Sequence, residues 1–379
     1  MTEIYQSTYQ NGAWSQPLPS ASSAQWVIAF GSKNIMDDPN VRDQVRQAFP
    51  QAQITGCTTS GAIEGAKLFD SCICLTAATF ASSRIEALSA DFHDFGDSGA
   101  LGAHLAEQLN TDGLVHIFVM SDGHVVNGSD LIRSVCKKLP DNIYMTGGLA
   151  GDGMDFKETK VWLNDQYRGG LVALICFYGP NLKVGKGNFG GWKPFGPNRK
   201  VTKSRKNVLY ELDNKPALEI YKTYLGEYAN ELPASALRFP IGLKHPVATE
   251  LVVRTILSIN EEDQSMVFAG NVPEGASCQI MHANYENLIS GAGYATEKAI
   301  SDIKGATSQL AILVSCVGRR MVLGVRTEEE LEEVKEMISE GCHMAGFYSY
   351  GEISSVICSD GRCGLLNQTM TVTLFEEVG

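Results

Sequence analysis

The sequence is poor in charge and lacks a long apolar run, and both absences narrow its class. Charged residues make up 20% of 379, and the net charge is −12. Because affinity for a phosphate backbone comes mostly from clustered Lys and Arg, we expect no nucleic-acid partner. No apolar run approaches the roughly 20 residues that span a bilayer, and no apolar leader precedes residue 20. The sequence therefore predicts a cytoplasmic protein without a membrane partner.

The chain has 10 cysteines in 379 residues, which is too few for a dense disulfide framework. Most lie inside apolar, strand-like runs, as Cys72 and Cys316 do, and predict buried free thiols in a reducing compartment. Cys358 and Cys363 flank a Ser-Asp-Gly-Arg turn, and Cys342 lies nearby in sequence. Two interpretations stay open for these three: a hairpin with incidental thiols, or ligands of a zinc ion.

Familiar catalytic motifs are missing as well. The sequence has no nucleophile elbow, phosphate-binding Walker loop, paired-histidine zinc helix or calcium loop. Residues 185–191 contain Gly-x-Gly-x-x-Gly, but Pro194 and Pro197 follow at once, so no helix opens there and a dinucleotide site is not predicted. We interpret this stretch as a turn-rich crossing, and we expect the protein not to be an enzyme.

A strand, helix, strand pattern that ends in a glycine turn recurs along the chain. The turns read Ile-Thr-Gly-Cys-Thr-Thr-Ser-Gly-Ala-Ile at 54–63, Met-Thr-Gly-Gly-Leu-Ala-Gly-Asp-Gly at 145–153 and His-Met-Ala-Gly-Phe-Tyr-Ser-Tyr-Gly-Glu-Ile at 343–353. A further strand is predicted after each, at 72–80, 169–177 and 369–375. Alternating strands and helices favour sheets covered by helices, and the added strands favour mixed sheets.

Length predicts two domains, because single hydrophobic cores stop growing at about 250 to 300 residues. We place an N-terminal lead-in at 1–24, a first domain at 25–214 and a second at 215–379. The expected fold class is α/β, with two domains of mixed β-sheets covered by helices and built from repeated strand-helix-strand units.

Histidines at strand ends are the first candidate ligand contacts. His124 follows the carboxyl end of the predicted strand 114–120 and leads into a helix, which is where open α/β sheets bind ligands. The alternative is an exposed loop histidine without a ligand. His343 opens the third glycine turn.

Five further candidates lie in the last quarter of the chain. Arg319 and Arg320 follow the predicted strand 310–316 and could clamp a carboxylate or a haem propionate, with ordinary surface pairing as the alternative. Tyr348, Tyr350 and Glu352 stand in the third turn where the other turns carry small residues. We therefore predict ligand contacts in the C-terminal half, in a pocket between the two halves that His124 also reaches.

Seven segments, taken in order, resemble the FIST proteins, which carry an N-terminal and a C-terminal FIST domain. The resemblance extends from about residue 25 over nearly the whole chain. The segments are Gly147-Gly-Leu-Ala-Gly-Asp152, Gly191-Trp-Lys-Pro-Phe-Gly196, Pro216-Ala-Leu-Glu-Ile-Tyr-Lys222, Leu225-Gly226, Ser315-Cys-Val-Gly-Arg-Arg320, Phe347-Tyr-Ser-Tyr-Gly-Glu-Ile353 and Asn367-Gln-Thr-Met370.

The resemblance implies a bacterial sensory module, and the branch most similar to this chain is the nitric-oxide-sensing haem proteins, NosP. It implies bound haem b, nitric oxide as the signal, and a histidine kinase or a diguanylate cyclase or phosphodiesterase as partner. A homodimer is an open alternative. In the family the last motif often carries a histidine before Asn-Gln-Thr, where this chain has Leu366. His124 is therefore the expected metal ligand from its position alone. The other hypothesis is a receptor for a non-haem small ligand such as an amino acid, gripped by Arg319, Arg320 and the turn amides.

Overall fold

A computed structural model describes residues 3–245, 251–304, 307–358 and 361–378, without the side chains of 356–358 and 361. In this part of the chain the strand-helix-strand unit occurs three times. The first repeat comprises β1 (Glu3–Gln10), β2 (Ala13–Trp14), β3 (Trp26–Gly31), α1 (Lys33–Met36), α2 (Pro39–Ala48), β4 (Gln53–Thr58), β5 (Ala62–Glu64), β6 (Lys67–Phe69) and β7 (Ile73–Thr79). The predicted lead-in at 1–24 thus contributes β1, which pairs with β7.

The second repeat has the same order with two helices added before its first parallel strand. It comprises β8 (Arg84–Asp91), α3 (Phe92–Phe95), α4 (Ser98–Gln108), β9 (Leu114–Ser121), α5 (Gly128–Cys136), β10 (Tyr144–Leu149), β11 (Val161–Leu163), β12 (Gln166–Arg168) and β13 (Leu171–Tyr178).

The third repeat is interrupted after its first strand, β14 (Leu182–Phe189), by an inserted antiparallel sheet. The insertion contains β15 (Lys193–Arg205), β16 (Val208–Leu212), β17 (Lys215–Pro216), α6 (Ala217–Leu225), 3-10 turns at Gly226–Glu231 and Ala234–Arg238, β18 (Ile241–Lys244), β19 (Val252–Arg254), β20 (Ile256–Asn260), β21 (Ser265–Phe268) and β22 (Ser277–His282). The repeat then continues with α7 (Tyr285–Asp302), β23 (Leu310–Cys316), α8 (Val317–Leu323), a 3-10 turn at Gly324–Arg326, α9 (Thr327–Met337), β24 (His343–Ser349), β25 (Gly351–Cys358), β26 (Gly361–Leu366) and β27 (Met370–Glu377).

The three repeats have the same sheet topology. In each, two parallel strands, β3 with β4, β9 with β10 and β23 with β24, lie beside an antiparallel strand, β7, β13 or β27. Helices pack on the outer faces, and the inner faces share one core in which the Trp26 ring lies 4.8 Å from Phe177 and 5.6 Å from Phe375. This confirms the predicted α/β class with mixed, helix-covered sheets built from repeated units.

In each repeat a hairpin follows the second parallel strand, and this hairpin pairs with a strand of another repeat, in cyclic order. The hairpin β5–β6 of the first repeat pairs with β24 of the third, β11–β12 of the second with β4 of the first, and β25–β26 of the third with β10 of the second. The predicted boundary at Asn214 lies in the β16–β17 turn of the inserted sheet, where Asn214 has a φ of 60°.

The glycine turns meet in a ring of backbone hydrogen bonds. Ser60 N donates to Tyr348 O (2.9 Å), Tyr350 N to Leu149 O (3.2 Å), and Gly151 N to Thr58 O (2.9 Å). The bonded positions are equivalent, since each turn accepts at one residue and donates two residues later. The three predicted turns are therefore joined at one centre.

A glycine precedes each turn because the neighbouring strand leaves no room for a side chain. A Cβ on Gly56, Gly147 or Gly346 would lie 2.2, 2.0 or 2.0 Å from a carbonyl oxygen of the adjacent parallel strand. Residues 185–191, which we interpreted as a turn-rich crossing, fall instead mainly in β14. Gly185 and Gly187 there let α7 pack closely, since added Cβ atoms would lie 2.2 and 1.9 Å from helix carbonyls.

Candidate functional site

A cavity of about 740 Å³ lies where the carboxyl ends of β9, β10 and β23 face the inserted sheet. The strand ends contribute the loop 123–127, Leu149 and the 316–318 segment, and the inserted sheet contributes the 255–257 and 268–270 segments across from them. Ligand sites of α/β proteins form at the carboxyl ends of strands, and this volume lies within the usual range for small-molecule pockets. As predicted, residues from both halves of the chain line it.

The cavity wall is largely apolar, and several of its large apolar side chains are exposed. Val125 and Met154 are 43% and 52% exposed, and Phe156, Leu257 and Met321 are also exposed. Clustered exposed apolar side chains around one concavity mark a binding site rather than ordinary surface. The wall therefore favours a ligand with a sizeable apolar body.

Two buried polar atoms, one in the cavity lining and one behind it, have no hydrogen-bond partner among the described residues. Thr255 lines the cavity, is 6% exposed, and its hydroxyl is unpartnered. Gln368 is fully buried and donates from Nε2 to Leu237 O (3.3 Å), while its amide lies against Gly318; both of those residues line the cavity. Its Oε1 is unpartnered. Since such groups cost about 1 to 3 kcal/mol each when left unmet, they favour a polar occupant at this end.

His124 and Tyr350 are the predicted site residues that line the cavity. His124 is held through its backbone, whose N–H donates to Asp122 Oδ1 (2.7 Å), and its ring stands edge-on to Tyr350 with centroids 6.1 Å apart. His124 is exposed and belongs to the cavity lining.

Tyr350 is fixed by two neighbours in the loop after β10. Its hydroxyl donates to Asp152, and Phe156 stacks on its ring at 4.7 Å. Burial alone would raise the pKa of the Asp152 carboxyl, but hydrogen bonds from Tyr350 and the amides of 156–158 together hold it below its ordinary value. An ionised Asp152 thus anchors the aromatic side of the cavity mouth.

The structure places both arginines outside the cavity lining. Arg319 is fully buried and binds Glu330 (2.6 Å) as well as the carbonyls of Leu288 and Gly190 (both 2.7 Å). Arg320 donates to Ser60 O and pairs with Asp70 at 2.7 Å. Both guanidinium groups are engaged within the chain, so neither is positioned to clamp an anion in this cavity.

The other three predicted residues also lie away from it. Tyr348 is buried and donates to Glu330 Oε1 (2.8 Å), and His343 Nδ1 lies 3.0 Å from Gln6 Oε1 at the opposite end of β24. Glu352 is buried and accepts from Ser349 and from the amide and hydroxyl of Thr369. Burial raises the pKa of Glu352 to about 7, despite these donors. The sequence pattern that singled out the third turn thus led mainly to packing residues.

Sequence reasoning missed Thr255 and Gln368. Gln368 belongs to a motif that we recognised, but nothing local shows that its amide will be buried beside Gly318. Thr255 lies in a short strand region whose neighbours are decided by the inserted sheet. Neither carries a charge or a ligand spacing, and only tertiary structure leaves them unpartnered.

No cluster of three or more His, Cys, Asp or Glu side chains that could hold a metal ion occurs within the described residues. Cys342 is hydrogen-bonded by Ser308 (3.4 Å), and Cys363 accepts from Met145 N (3.1 Å). The side chain of Cys358 lies outside the description. In the part of the chain that the structure covers, no helix is long and apolar enough to cross a membrane.

Comparison with known proteins identifies two family domains. The FIST N domain matches residues 25–215, and the FIST C domain matches residues 217–355. The chain is also similar to an uncharacterised protein of Methanocaldococcus jannaschii, with 23% identity over 366 residues. That alignment covers 88% of this chain and 66% of the relative, so the chain spans just under two thirds of the relative's length.

Proposed function

This chain belongs to the FIST family, and we propose that it is a sensor whose ligand binds in the cavity between the repeats and the inserted sheet. FIST domains are sensory, ligand-binding domains of signal transduction. The observation that carries the proposal is the cavity itself: about 740 Å³, at the carboxyl ends of three strands, with walls from both family domains. Catalytic turnover is not part of the proposal.

The first ligand that we propose is haem b, with nitric oxide as the signal. The residues present fit this group: the walls are apolar, the exposed His124 offers an imidazole, and Lys206 at the rim offers a cation for a propionate. His124 would hold the haem, and the haem iron would supply the binding chemistry for a diatomic gas. Tyr350 would support the His124 ring from the side, with its own position fixed by Asp152.

The test is an absorption spectrum of the purified, haem-loaded chain. We expect a Soret band that nitric oxide displaces, and loss of that band in His124→Ala. His282→Ala and His343→Ala are matched controls, because neither histidine lines the cavity, and both are expected to keep the band. A wild-type chain that takes up no haem under any loading condition, or a band lost in His343→Ala and kept in His124→Ala, would refute this assignment.

For the output we propose a partner histidine kinase, or a diguanylate cyclase or phosphodiesterase. The expected result is a change in the partner's activity when the loaded chain is exposed to nitric oxide. The same assay with His124→Ala is expected to show no response. A response that persists in His124→Ala would show that signalling does not depend on ligand binding in the cavity.

A second candidate, a non-haem ligand with a neutral polar group, is favoured by the unpartnered polar atom in the cavity lining. Such a group could hydrogen-bond to the Thr255 hydroxyl in the lining, while an apolar body covers the exposed side chains. The two arginines cannot serve as its anion grip from their places in the fold. Thermal shift against amino acids and metabolites is the first experiment, since binding to the native state raises the melting temperature.

Thr255→Val distinguishes specific from incidental hits, because it removes the hydroxyl without changing the shape of the wall. We expect a true polar ligand to bind about fivefold more weakly to this variant, which corresponds to one lost hydrogen bond. Thr371→Val is the matched control, since Thr371 also has a buried, unpartnered hydroxyl but lies outside the cavity lining. Equal weakening by both substitutions would rule out a role for Thr255.

A further inference from the structure

Two cysteines lie next to each other where α5 packs against β26. Cys136 is the last residue of α5, and its Sγ lies 3.8 Å from the carbonyl oxygen of Cys363 in β26. Met145 N donates to Cys363 Sγ (3.1 Å). Cys136 is half-buried, whereas Cys363 is 5% exposed. One thiol of the pair therefore reaches solvent and the other stands directly behind it.

Cys136 differs from the other thiols of the chain in its electrostatics, whereas the interaction with Cys136 and burial raise the pKa of Cys363. Burial raises the pKa of Cys278 and Cys176 to about 12, as expected for inert core thiols. The hydrogen bond from Cys363 and the nearby Arg362 guanidinium hold the pKa of Cys136 below its ordinary value, in spite of partial burial. A partly exposed thiol of lowered pKa with a second thiol beside it is the arrangement of peroxide-sensitive cysteine pairs.

We propose that Cys136 and Cys363 form a reversible disulfide when the chain meets a hydroperoxide. The Cys136 thiolate attacks one peroxide oxygen and breaks the O–O bond, giving a sulfenic acid and hydroxide, which takes up a proton as water. Cys363 sulfur then attacks Cys136 sulfur and displaces hydroxide, which leaves as water with the thiol proton. Two thiols are oxidised by two electrons, and one hydroperoxide is reduced.

The cross-link would join α5, which bounds the cavity, to the neighbouring strand β26. The first turn of α5 carries Asp130, which lines the cavity, and Leu365 of β26 packs against Gly128 at the start of the same helix. The disulfide would therefore fix the distance between α5 and the β25–β26 hairpin, which pairs with β10 of the second repeat. This inference does not depend on which ligand the cavity holds.

The experiment treats the reduced full-length chain with stoichiometric hydrogen peroxide, blocks remaining thiols with N-ethylmaleimide, and maps the peptides by mass spectrometry. We expect a Cys136–Cys363 cross-link that dithiothreitol reverses. We also expect Cys136 to react with an aromatic disulfide reagent about tenfold faster than the buried thiols. Mapping of the wild-type chain needs no substitution, so a variant that fails to fold does not obscure the result.

Three serine variants complete the test. Cys136→Ser is expected to abolish the cross-link, and Cys363→Ser to leave a sulfenic acid at Cys136 that dimedone traps. Cys358→Ser, which changes a thiol in the same hairpin, is expected to keep the cross-link. A Cys358–Cys363 disulfide instead, or a chain whose Cys136 is still alkylated after peroxide treatment, would overturn the proposal.

Discussion

The carboxyl ends of the parallel strands are filled in the first repeat and open in the second. After β3, Asp37 binds Lys160 and Tyr167, both at 2.9 Å, and Lys33 at 3.0 Å. After β9, the equivalent loop carries His124 and faces the cavity. The backbone at the two places is equivalent, down to the ring of turn hydrogen bonds. The carboxyl end of a strand can thus become a ligand site only where the neighbouring side chains do not already bind one another.

In the third repeat, some residues after the strand line the cavity and others are packed within the protein. Its first residues after β23, Val317 and Gly318, line the cavity, while Arg319 turns inward to Glu330 and Arg320 turns to the first repeat. The inserted sheet lies across from the open strand ends and forms the opposite wall of the cavity. The comparison therefore separates residues that pack within the protein from residues that line the cavity, and four tests examine that separation.

The largest effect is expected at the filled end of the third repeat. Glu330→Gln leaves Arg319 as a buried charge without its carboxylate, and we expect a loss of about 3 to 5 kcal/mol in the free energy of unfolding. Urea denaturation measures it. The neighbouring Glu329→Gln is the control, because Glu329 makes an exposed pair with Arg326, and no measurable change is expected. Equal effects at both positions would show that Arg319 does not depend on Glu330.

A somewhat smaller effect is expected where the repeats are alike. Gly346→Ala would put a methyl group 2.0 Å from Leu313 O, and Gly147→Ala and Gly56→Ala would make the same clash in the other repeats. We expect each to cost about 2 to 4 kcal/mol in urea denaturation. Gly169→Ala, with 3.3 Å to its nearest atom, is the control and should cost less than about 1 kcal/mol. One tolerant glycine among the three would break the equivalence of the repeats.

The repeats were predictable from sequence because their signals are local. A glycine that is forced by close strand packing recurs at Gly56, Gly147 and Gly346, and the alternation of apolar strand and amphipathic helix surrounds each. The exchange of hairpins was not predictable, because residues 62–69 carry no information about which repeat supplies their partner strand. The long strand β15 of the inserted sheet was also missed, since it contains Pro194 and Pro197 and pairs with irregular register.

The site was predictable only in part. His124 could be placed by the rule that loops after parallel strands bind ligands, and the same rule suggested Arg319 and Arg320. The rule gives position along the chain and not direction, so it cannot tell a side chain that enters the cavity from one that turns into the core. Glu330, the carboxylate that draws Arg319 inward, looks in sequence like any helical glutamate.

A third test concerns the buried carboxyl of Glu352, whose folded pKa of about 7 lies above the ordinary 4.5. The protonated form is favoured by the fold, so its stabilisation is complete below pH 4.5 and is lost as pH rises toward 7. We expect up to about 3 kcal/mol of this dependence, and a flatter profile in Glu352→Gln, by urea denaturation across that window.

Glu377 provides the opposite sign as a control for Glu352. Burial works against its ionisation, but hydrogen bonds from Ser83, Ser82 and Ala81 together lower its pKa to about 2. Its contribution is therefore present above pH 4.5 and is lost as pH falls, so Glu377→Gln should flatten the acid side instead. If the Glu352→Gln profile has the same slope as the wild-type profile between pH 4.5 and 7, the fold does not raise the pKa of Glu352.

The smallest effect is expected at the junction of the third and first repeats. Arg320 and Asp70 are 25% and 64% exposed in their side chains, so Asp70→Asn should cost less than about 1 kcal/mol. Neither residue lines the cavity, so ligand binding, read as a Soret band or a thermal shift, should match wild type in both Asp70→Asn and Arg320→Met. If Arg320→Met keeps the fold and loses ligand binding while Asp70→Asn keeps both, Arg320 contributes to binding. The division between filled and open strand ends would then be wrong at this junction.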